Sequence, residues 1–231
     1  MEFQSPSVQG IVPFRGLEPV VHYDQLGNGK STHLPDWPAD FWSVALFLAE
    51  LDNLLDGLKL SDEYVLFGHS WGGMLAAAHA ARRPRGLRRL VIANSPASMP
   101  LRLKEAARLR SALPPDVQQV LLRHEAAGTT DSAEYLEAVG VYYERHVCRL
   151  PWPLELKASY LEIHTDPTVY YTMNGPNEFH VIGSLKDWSV IDLLPRIETP
   201  TLVLSGRHDE ASPETTRPLC RTHPGRGLAC F

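Results

Sequence analysis

The sequence predicts an α/β fold, with a mostly parallel sheet, helices on both faces and an inserted helical cap. Three features carry that expectation. Short apolar runs at 64–67, 87–93 and 200–205 have the length and composition of buried strands. Helical patterns alternate with them, which is the signature of parallel strands joined by right-handed crossovers. From Pro100 to about Trp188 the pattern changes to helices with no strand between them. A chain of 231 residues suits one well-buried domain with an insertion and is short for two independent cores. The expected organisation is a first part of the core over 1–99, a helical cap over 100–188, and a second, incomplete part of the core over 189–231.

In chain order, residues 1–17 have no periodic pattern, and Pro6, Pro13 and Gly16 argue for irregular structure. Pro19 to Tyr23 (PVVHY) is a β-branched run that reads as a strand, ending in a glycine-containing turn from Asp24 to Thr32. Gly29-Lys30-Ser31 matches the tail of a phosphate-binding loop, but the first glycine of G-x-x-x-x-G-K-[ST] falls on Asp24. A carboxylate where backbone must wrap a phosphate argues against nucleotide binding. Between Asp40 and Leu58, Val44, Phe47, Leu48, Leu51, Leu54, Leu55 and Leu58 recur at helical spacing, which predicts a sheet-packed helix with Asp40 as its N-cap. Next come the strand at 64–67, a glycine-rich turn, an alanine-rich helix from about Gly73, and the strand LRRLVIA at 87–93.

The insertion opens with a helix over 101–113 and a second after Pro114-Pro115 that ends at Gly128. A third runs from Asp131 towards Cys148, with Asp131 and Glu134 giving a start like a capping box. Pro151, Pro153 and the Tyr170-Tyr171 region interrupt it, and 173–179 is a polar turn in aromatic surroundings. Helical insertions of this kind shape substrate access and exclude water. The sheet resumes at 200–205 and is expected to finish with 228–231.

Chemistry concentrates in Gly68-His69-Ser70-Trp71-Gly72, a G-x-S-x-G between a strand and a helix. A serine in so tight a turn holds its hydroxyl clear of the sheet only if the residues two positions either side, Gly68 and Gly72, lack a Cβ. The following helix aims its N-terminus at the site, and the Trp71 N–H is placed to donate to an oxyanion. That points to acyl transfer with Ser70 as nucleophile, rather than to a glycine-rich turn with an incidental serine. The loop after a late strand, Gly206-Arg207-His208-Asp209-Glu210, carries an acid where the second member of a serine, acid, histidine order belongs. His69 lies inside the turn and is better suited to orienting it than to acting as base. His79, His124 and His146 fall on helices and read as structural.

Composition narrows the remaining classes. A hydrophobic fraction of 44%, a charged fraction of 21% and a formal net charge of −5 describe a globular chain without the basic excess that nucleic-acid partners demand. No apolar run approaches the roughly 18 residues of a membrane span, and MEFQSPSVQG has no signal-peptide pattern, so the cytoplasm is the expected compartment. Cys148, Cys220 and Cys230 form neither an even framework nor a metal-type cluster and are expected to be reduced. No metal or cofactor is expected, and the oligomeric state stays open.

Tyr23-Asp24-Gln25-Leu26-Gly27, Gly68 to Gly73, Met173 to Phe179 with Leu185-Lys186-Asp187-Trp188, and Gly206 to Glu210 together resemble the proline iminopeptidase branch of the α/β-hydrolase fold. These are the S33 serine peptidases, close to the amino-acid amidases, and the resemblance spans about Val20 to Phe231. It implies Ser70 as nucleophile and Asp209 as triad acid, with Glu178 in the cap and Glu210 beside the acid holding the free α-ammonium of a small peptide or amino-acid amide. Two carboxylates in a partly desolvated pocket fit a cation physically. The competing reading of each glutamate is a solvated loop carboxylate. An ester or lipid hydrolase with the same turn is disfavoured by this acidic pair.

Two departures accompany the resemblance. The family's His-Gly-Gly-Pro-Gly loop has no counterpart in residues 1–22, and its histidine follows the last strand, near which this chain stops. The sequence thus resembles a member lacking both ends. His223 is the one histidine after Asp209, and it precedes the expected last strand, at the edge of the sheet away from Ser70. The alternative to an N-terminal-residue hydrolase is therefore a non-catalytic member that keeps the pocket.

Overall fold

The computed structural model describes residues 19–221 and 226–230. Four strands, β1 (Tyr64–His69), β2 (Leu87–Ala93), β3 (Thr201–Ser205) and β4 (Arg226–Cys230), form one sheet in the order β1-β2-β3-β4, every pair parallel. Their registers align the C-terminal ends, with His69 opposite Ala93 and Ala93 opposite Leu204. Of the expected 228–231 run, 228–230 is strand and Phe231 lies outside the described residues; the pairing begins earlier, with Arg226 opposite Thr201. Pro19 to Tyr23 is not a strand. A β-branched run becomes a strand only where a neighbour completes its ladder, and no described residue pairs with it. Residues 1–17 and His223 lie outside the described residues.

Helix α1 (Val44–Gly57) carries the predicted apolar face, with Phe47, Leu51 and Leu55 buried. Its cap is Ser43 rather than Asp40. The Ser43 hydroxyl accepts the Leu46 N–H at 3.3 Å, while Asp40 sits in a separate 3₁₀ turn, Ala39–Phe41. Helix α2 (Trp71–Ala80) starts directly after Ser70, two residues before Gly73, and buries small side chains against β1 and β2. Helix α8 (Pro213–Arg221) connects β3 to β4. Leu51, Leu55, Ala76, Ala77, Leu90, Ile92, Val203 and Leu219 join these helices and one face of the sheet in a single apolar cluster. Val65, Phe67 and Leu202, pointing to the other face, are 59%, 42% and 42% exposed.

Between β2 and β3 lie α3 (Met99–Arg110), α4 (Pro115–Ala127), α5 (Ala133–His146), α6 (Leu154–Thr165) and α7 (Thr168–Met173). The N-cap of α5 is Ser132, whose hydroxyl accepts the Tyr135 N–H at 3.3 Å; the neighbouring Asp131 is not the cap. A second cluster, including Leu109, Leu121, Tyr135, Val139, Tyr142 and Phe179, holds α3, α4 and α5 together. A third, with Phe47, Met74, Val169, Met173 and Leu185, seats α7 and the chain after it on α1 and α2. The insertion leaves and rejoins the core at one point. Met99 N–H donates to the Trp188 carbonyl at 2.8 Å and Val190 N–H to the Ala97 carbonyl at 3.0 Å, with Ser98 and Ser189 bridged antiparallel. Among the described residues no helix is long and apolar enough to cross a membrane.

His79 shows how polar groups are tolerated under the sheet. It is 2% exposed, its Nε2 shares a hydrogen bond with the Tyr64 hydroxyl at 2.6 Å, and its Nδ1 lies 3.5 Å from Asp52 Oδ1. Burial holds its pKa below the ordinary histidine value, with Asp52 pulling the other way. A depressed imidazole contributes stability above the unfolded pKa of about 6.5, and that contribution is lost as the pH falls below it. Tyr64→Phe leaves the buried ring nitrogen without its donor and is expected to cost about 1–3 kcal/mol in urea unfolding at pH 7.5. An unchanged midpoint would show that the bond contributes nothing.

Candidate active site

Ser70 joins β1 to α2 with φ 52° and ψ −121°, a conformation non-glycine residues avoid. Its N–H donates to the Ala93 carbonyl at 3.0 Å, and its carbonyl accepts from Gly73 at 3.0 Å and Met74 at 3.2 Å, so both sides of the strained residue are tied to the scaffold. A Cβ on Gly68 would lie 2.2 Å from the Gly72 carbonyl oxygen, as the steric reasoning requires. The second close approach is at Gly73 rather than Gly72. A Cβ on Gly73 would meet Ser95 Cβ at 2.6 Å, whereas one on Gly72 has no described atom within 4 Å. The extended glycine run thus serves packing of α2 on the loop after β2. Trp71 and Gly72 open α2, where helical N–H groups have no acceptor within the helix.

Asp209 follows β3 and is held at both oxygens. The Ala211 N–H donates to Oδ1 at 2.6 Å and the Asn94 side chain to Oδ2 at 2.5 Å. Asn94 directly follows β2 with φ 49° and its N–H donates to the Leu204 carbonyl at 2.9 Å, so the register of β2 on β3 sets the carboxylate's position. Burial raises the Asp209 pKa, opposed by these donors and by the charges of His69 and Arg102. Burial lowers the His69 pKa, opposed by Asp209 and Glu178. Among the described residues no imidazole is hydrogen-bonded to Asp209 or to the Ser70 hydroxyl, and the His69 ring holds no other loop group by such a bond.

Glu178 and Glu210, distant in sequence, meet at Arg102. Its Nη2 donates to Glu178 Oε2 at 2.8 Å and to Glu210 Oε1 at 2.6 Å, and its Nη1 donates to the Glu178 carbonyl. Tyr170 donates its hydroxyl to Glu178 Oε1 at 2.8 Å, and the Glu178 N–H reaches the Tyr143 hydroxyl at 3.3 Å. Glu210 is positioned through α5, its N–H donating to the His146 carbonyl at 3.1 Å. His146 Nδ1 in turn lies 3.2 Å from the His208 carbonyl. Glu210 Oε2 is buried and has no hydrogen-bond partner among the described residues. Burial pushes the Glu210 pKa up to about 8; Arg102 opposes this, while Glu178 and Asp209 reinforce it. Burial opposes the charge of Arg102, but the two carboxylates outweigh it and hold the guanidinium firmly protonated. Above about pH 8, where Glu210 is ionised, one guanidinium between two carboxylates leaves a negative charge unbalanced even before Asp209 is counted.

The sequence named every acid of this cluster and missed the cation. Arg102 is one of several basic residues in α3, and the available signal was its phase. It shares a helix face with the buried Ala106 and Leu109, so a basic residue falls on the apolar side. Asn94, Tyr143 and Tyr170 carried no such signal.

A strained serine between a parallel strand and its helix marks the serine hydrolases of the α/β-hydrolase fold, and a family model described as alpha/beta hydrolase fold matches residues 19–224. The proline iminopeptidase of Saccharolobus solfataricus is 36% identical over 215 residues, which cover 92% of this chain and 68% of that protein. That of Heyndrickxia coagulans is 39% identical, with 91% and 72% covered. Among solved structures, VinJ superposes with a TM-score of 0.89 at 62% identity, covering 91% of this chain and 71% of that one. The proline iminopeptidase of Mycobacterium smegmatis gives 0.83 at 50% identity, with 91% and 70% covered. The chain belongs to the proline iminopeptidase family, serine hydrolases of the α/β-hydrolase fold.

Proposed function

We propose that this enzyme releases the N-terminal residue of small peptides or amino-acid amides through an acyl-enzyme on Ser70, and that Glu178 and Glu210 recognise the substrate's free α-ammonium. The observation that carries the recognition is the buried, unpartnered Glu210 Oε2 beside a guanidinium already shared with Glu178. A bound ammonium supplies the missing donor and the missing positive charge. In the acylation step the Ser70 oxygen bonds to the substrate carbonyl carbon, the oxyanion turns towards the Trp71 N–H, and the C–N bond breaks as the amine departs with a proton. Water then cleaves the ester. Asp209 is the acid that would orient a proton-accepting imidazole, and no described histidine is bonded to it. His223, the histidine after Asp209 in the sequence, lies outside the described residues. The segment 100–188, closed at its base by the pairing of Ala97–Met99 with Trp188–Val190, serves as the lid. The free thiol of Cys148 supports a reducing, cytoplasmic setting.

Substrates with a free and an N-acetylated terminus separate this reading from an ester or lipid hydrolase. Acetylation removes the charge and leaves the carboxylates without their partner, so kcat/KM is expected to fall by the equivalent of about 2–5 kcal/mol. Equal values for the two substrates would rule out ammonium recognition.

A further inference from the structure

The Tyr23–Gly27 stretch contains neither the nucleophile, the acid nor the ammonium carboxylates, yet its contacts run straight to the oxyanion side of the site. Trp71 Nε1 donates to Gln25 Oε1 at 2.9 Å, across 46 positions of sequence. The indole has a second fixed contact, edge-on to Phe47 of α1 with ring centroids 5.8 Å apart at 80°.

The loop that presents Gln25 is itself fastened on two sides. The Leu26 N–H donates to Glu50 Oε1 on α1 at 2.7 Å, and the other Glu50 oxygen is buried without a partner. Within the loop, Asn28 N–H donates to the Gln25 carbonyl at 2.9 Å, Gly27 N–H to the Thr32 carbonyl at 2.8 Å, and the Ser31 hydroxyl to the Asp24 carbonyl at 2.5 Å. Towards the insertion, Gly27 has φ 76°, and a Cβ there would sit 2.5 Å from Val169 of α7. His33 pairs through Nδ1 with Asp166, whose other oxygen accepts the Thr168 N–H at 3.1 Å at the start of α7.

We propose that Gln25 is a positioning residue for catalysis: by accepting the indole N–H of Trp71 from a loop fastened to both α1 and α7, it fixes the direction of the Trp71 backbone N–H towards the oxyanion. The inference rests on the assignment of that N–H as oxyanion donor. The peptide that carries this N–H is held at its other end, where the Ser70 carbonyl accepts from Gly73 and Met74. The side chain, packed edge-on against Phe47 and held at its nitrogen by Gln25, adds a second restraint at the Trp71 Cα. An oxyanion donor must lie about 2.7–3.1 Å from the developing charge, and misplacement by about 1 Å costs on the order of 10² in rate.

The test uses the full-length enzyme with Gln25→Ala, Gln25→Glu, Trp71→Phe and the Gln25→Ala/Trp71→Phe double variant. Gln25→Ala and Trp71→Phe are each expected to lower kcat by about 10- to 100-fold with KM within about twofold. The double variant should be no slower than the slower single, because both remove one interaction. Gln25→Glu keeps an acceptor for the indole and should restore kcat to within about threefold of wild type. Affinity for a substrate-like peptide aldehyde, whose Ser70 adduct carries the oxyanion, should fall in step with kcat. Wild-type kcat in Trp71→Phe, or fully multiplicative losses in the double variant, would overturn the proposal, and Trp71→Phe decides alone if Gln25→Ala does not fold. A kcat loss with unchanged aldehyde affinity would overturn the route through the oxyanion while leaving Ser70 in place. A wild-type enzyme that forms no aldehyde adduct would instead remove the assignment on which the proposal stands.

Discussion

Ser70→Ala is expected to eliminate covalent labelling by a fluorophosphonate probe and to lower kcat by about 10⁶. The size of the effect follows from the backbone. A non-glycine residue at φ 52° and ψ −121° carries strain of about 1–3 kcal/mol, and the surrounding bonds to Ala93, Gly73 and Met74 hold it there. That conformation places the Ser70 side chain at the C-terminal edge of β1, beside the first N–H groups of α2 and on the same sheet edge as Asp209. No other serine among the described residues has a positive φ. Alanine takes the same backbone with no new atom, so the variant should fold and isolate the loss of the proposed nucleophile. Labelling that persists in Ser70→Ala would remove the assignment.

Arg102→Met is expected to destabilise the folded enzyme by about 3–5 kcal/mol, because it leaves two carboxylates facing each other without their shared cation. Arg102 is 4% exposed and donates to Glu178 twice and to Glu210 once. Methionine fills much of the same volume, so the measured loss reports the charge and not a cavity. The pH dependence gives the sign independently. Glu210 already has a raised pKa, and removing the guanidinium raises it further. A carboxyl whose folded pKa exceeds its unfolded value of about 4.3 loses folded-state stability as the pH rises between the two. The deficit of Arg102→Met relative to wild type should therefore be small near pH 5 and grow through pH 8 and above. Arg102→Lys should recover little, since one ammonium cannot reproduce a planar fork that reaches two carboxylates and a carbonyl. Urea unfolding at pH 5, 7 and 9 measures all three. A deficit that shrinks with rising pH would contradict the arrangement.

What was legible in the sequence divides by the range of the interaction. The run 87–93 is a strand as the pattern put it, and 200–205 is one from Thr201, because each is a short stretch rich in leucine and β-branched residues that buries Leu90, Ile92 and Val203 in the core. The turn at Ser70 was legible because its geometry is local, needing glycine at 68 and a helix immediately after. Even so, the second essential glycine proved to be Gly73, since Ser95 arrives from the loop after another strand. Helix caps shifted by one to three residues, from Asp40 to Ser43 and from Asp131 to Ser132, because several polar side chains precede each helix and only tertiary placement selects among them. Arg102, Asn94 and the Gln25–Trp71 bond were illegible for a stronger reason. Each owes its role to a partner 46 to 115 positions away, and no local pattern records such a distance.

The antiparallel contact at Ala97–Met99 and Trp188–Val190 bears on how such a chain folds and diversifies. Topologically it turns the whole of the chain between them into a stalked loop whose two feet stand side by side. The closure entropy of a flexible loop grows only with the logarithm of its length, so once the feet are paired the sheet is almost indifferent to how many residues stand above them. β2 and β3 can then find their register without waiting for the helices to order. A helical segment of another size or composition can be exchanged at these feet with little effect on the strands below, while whatever the proposed lid presents to a substrate changes completely.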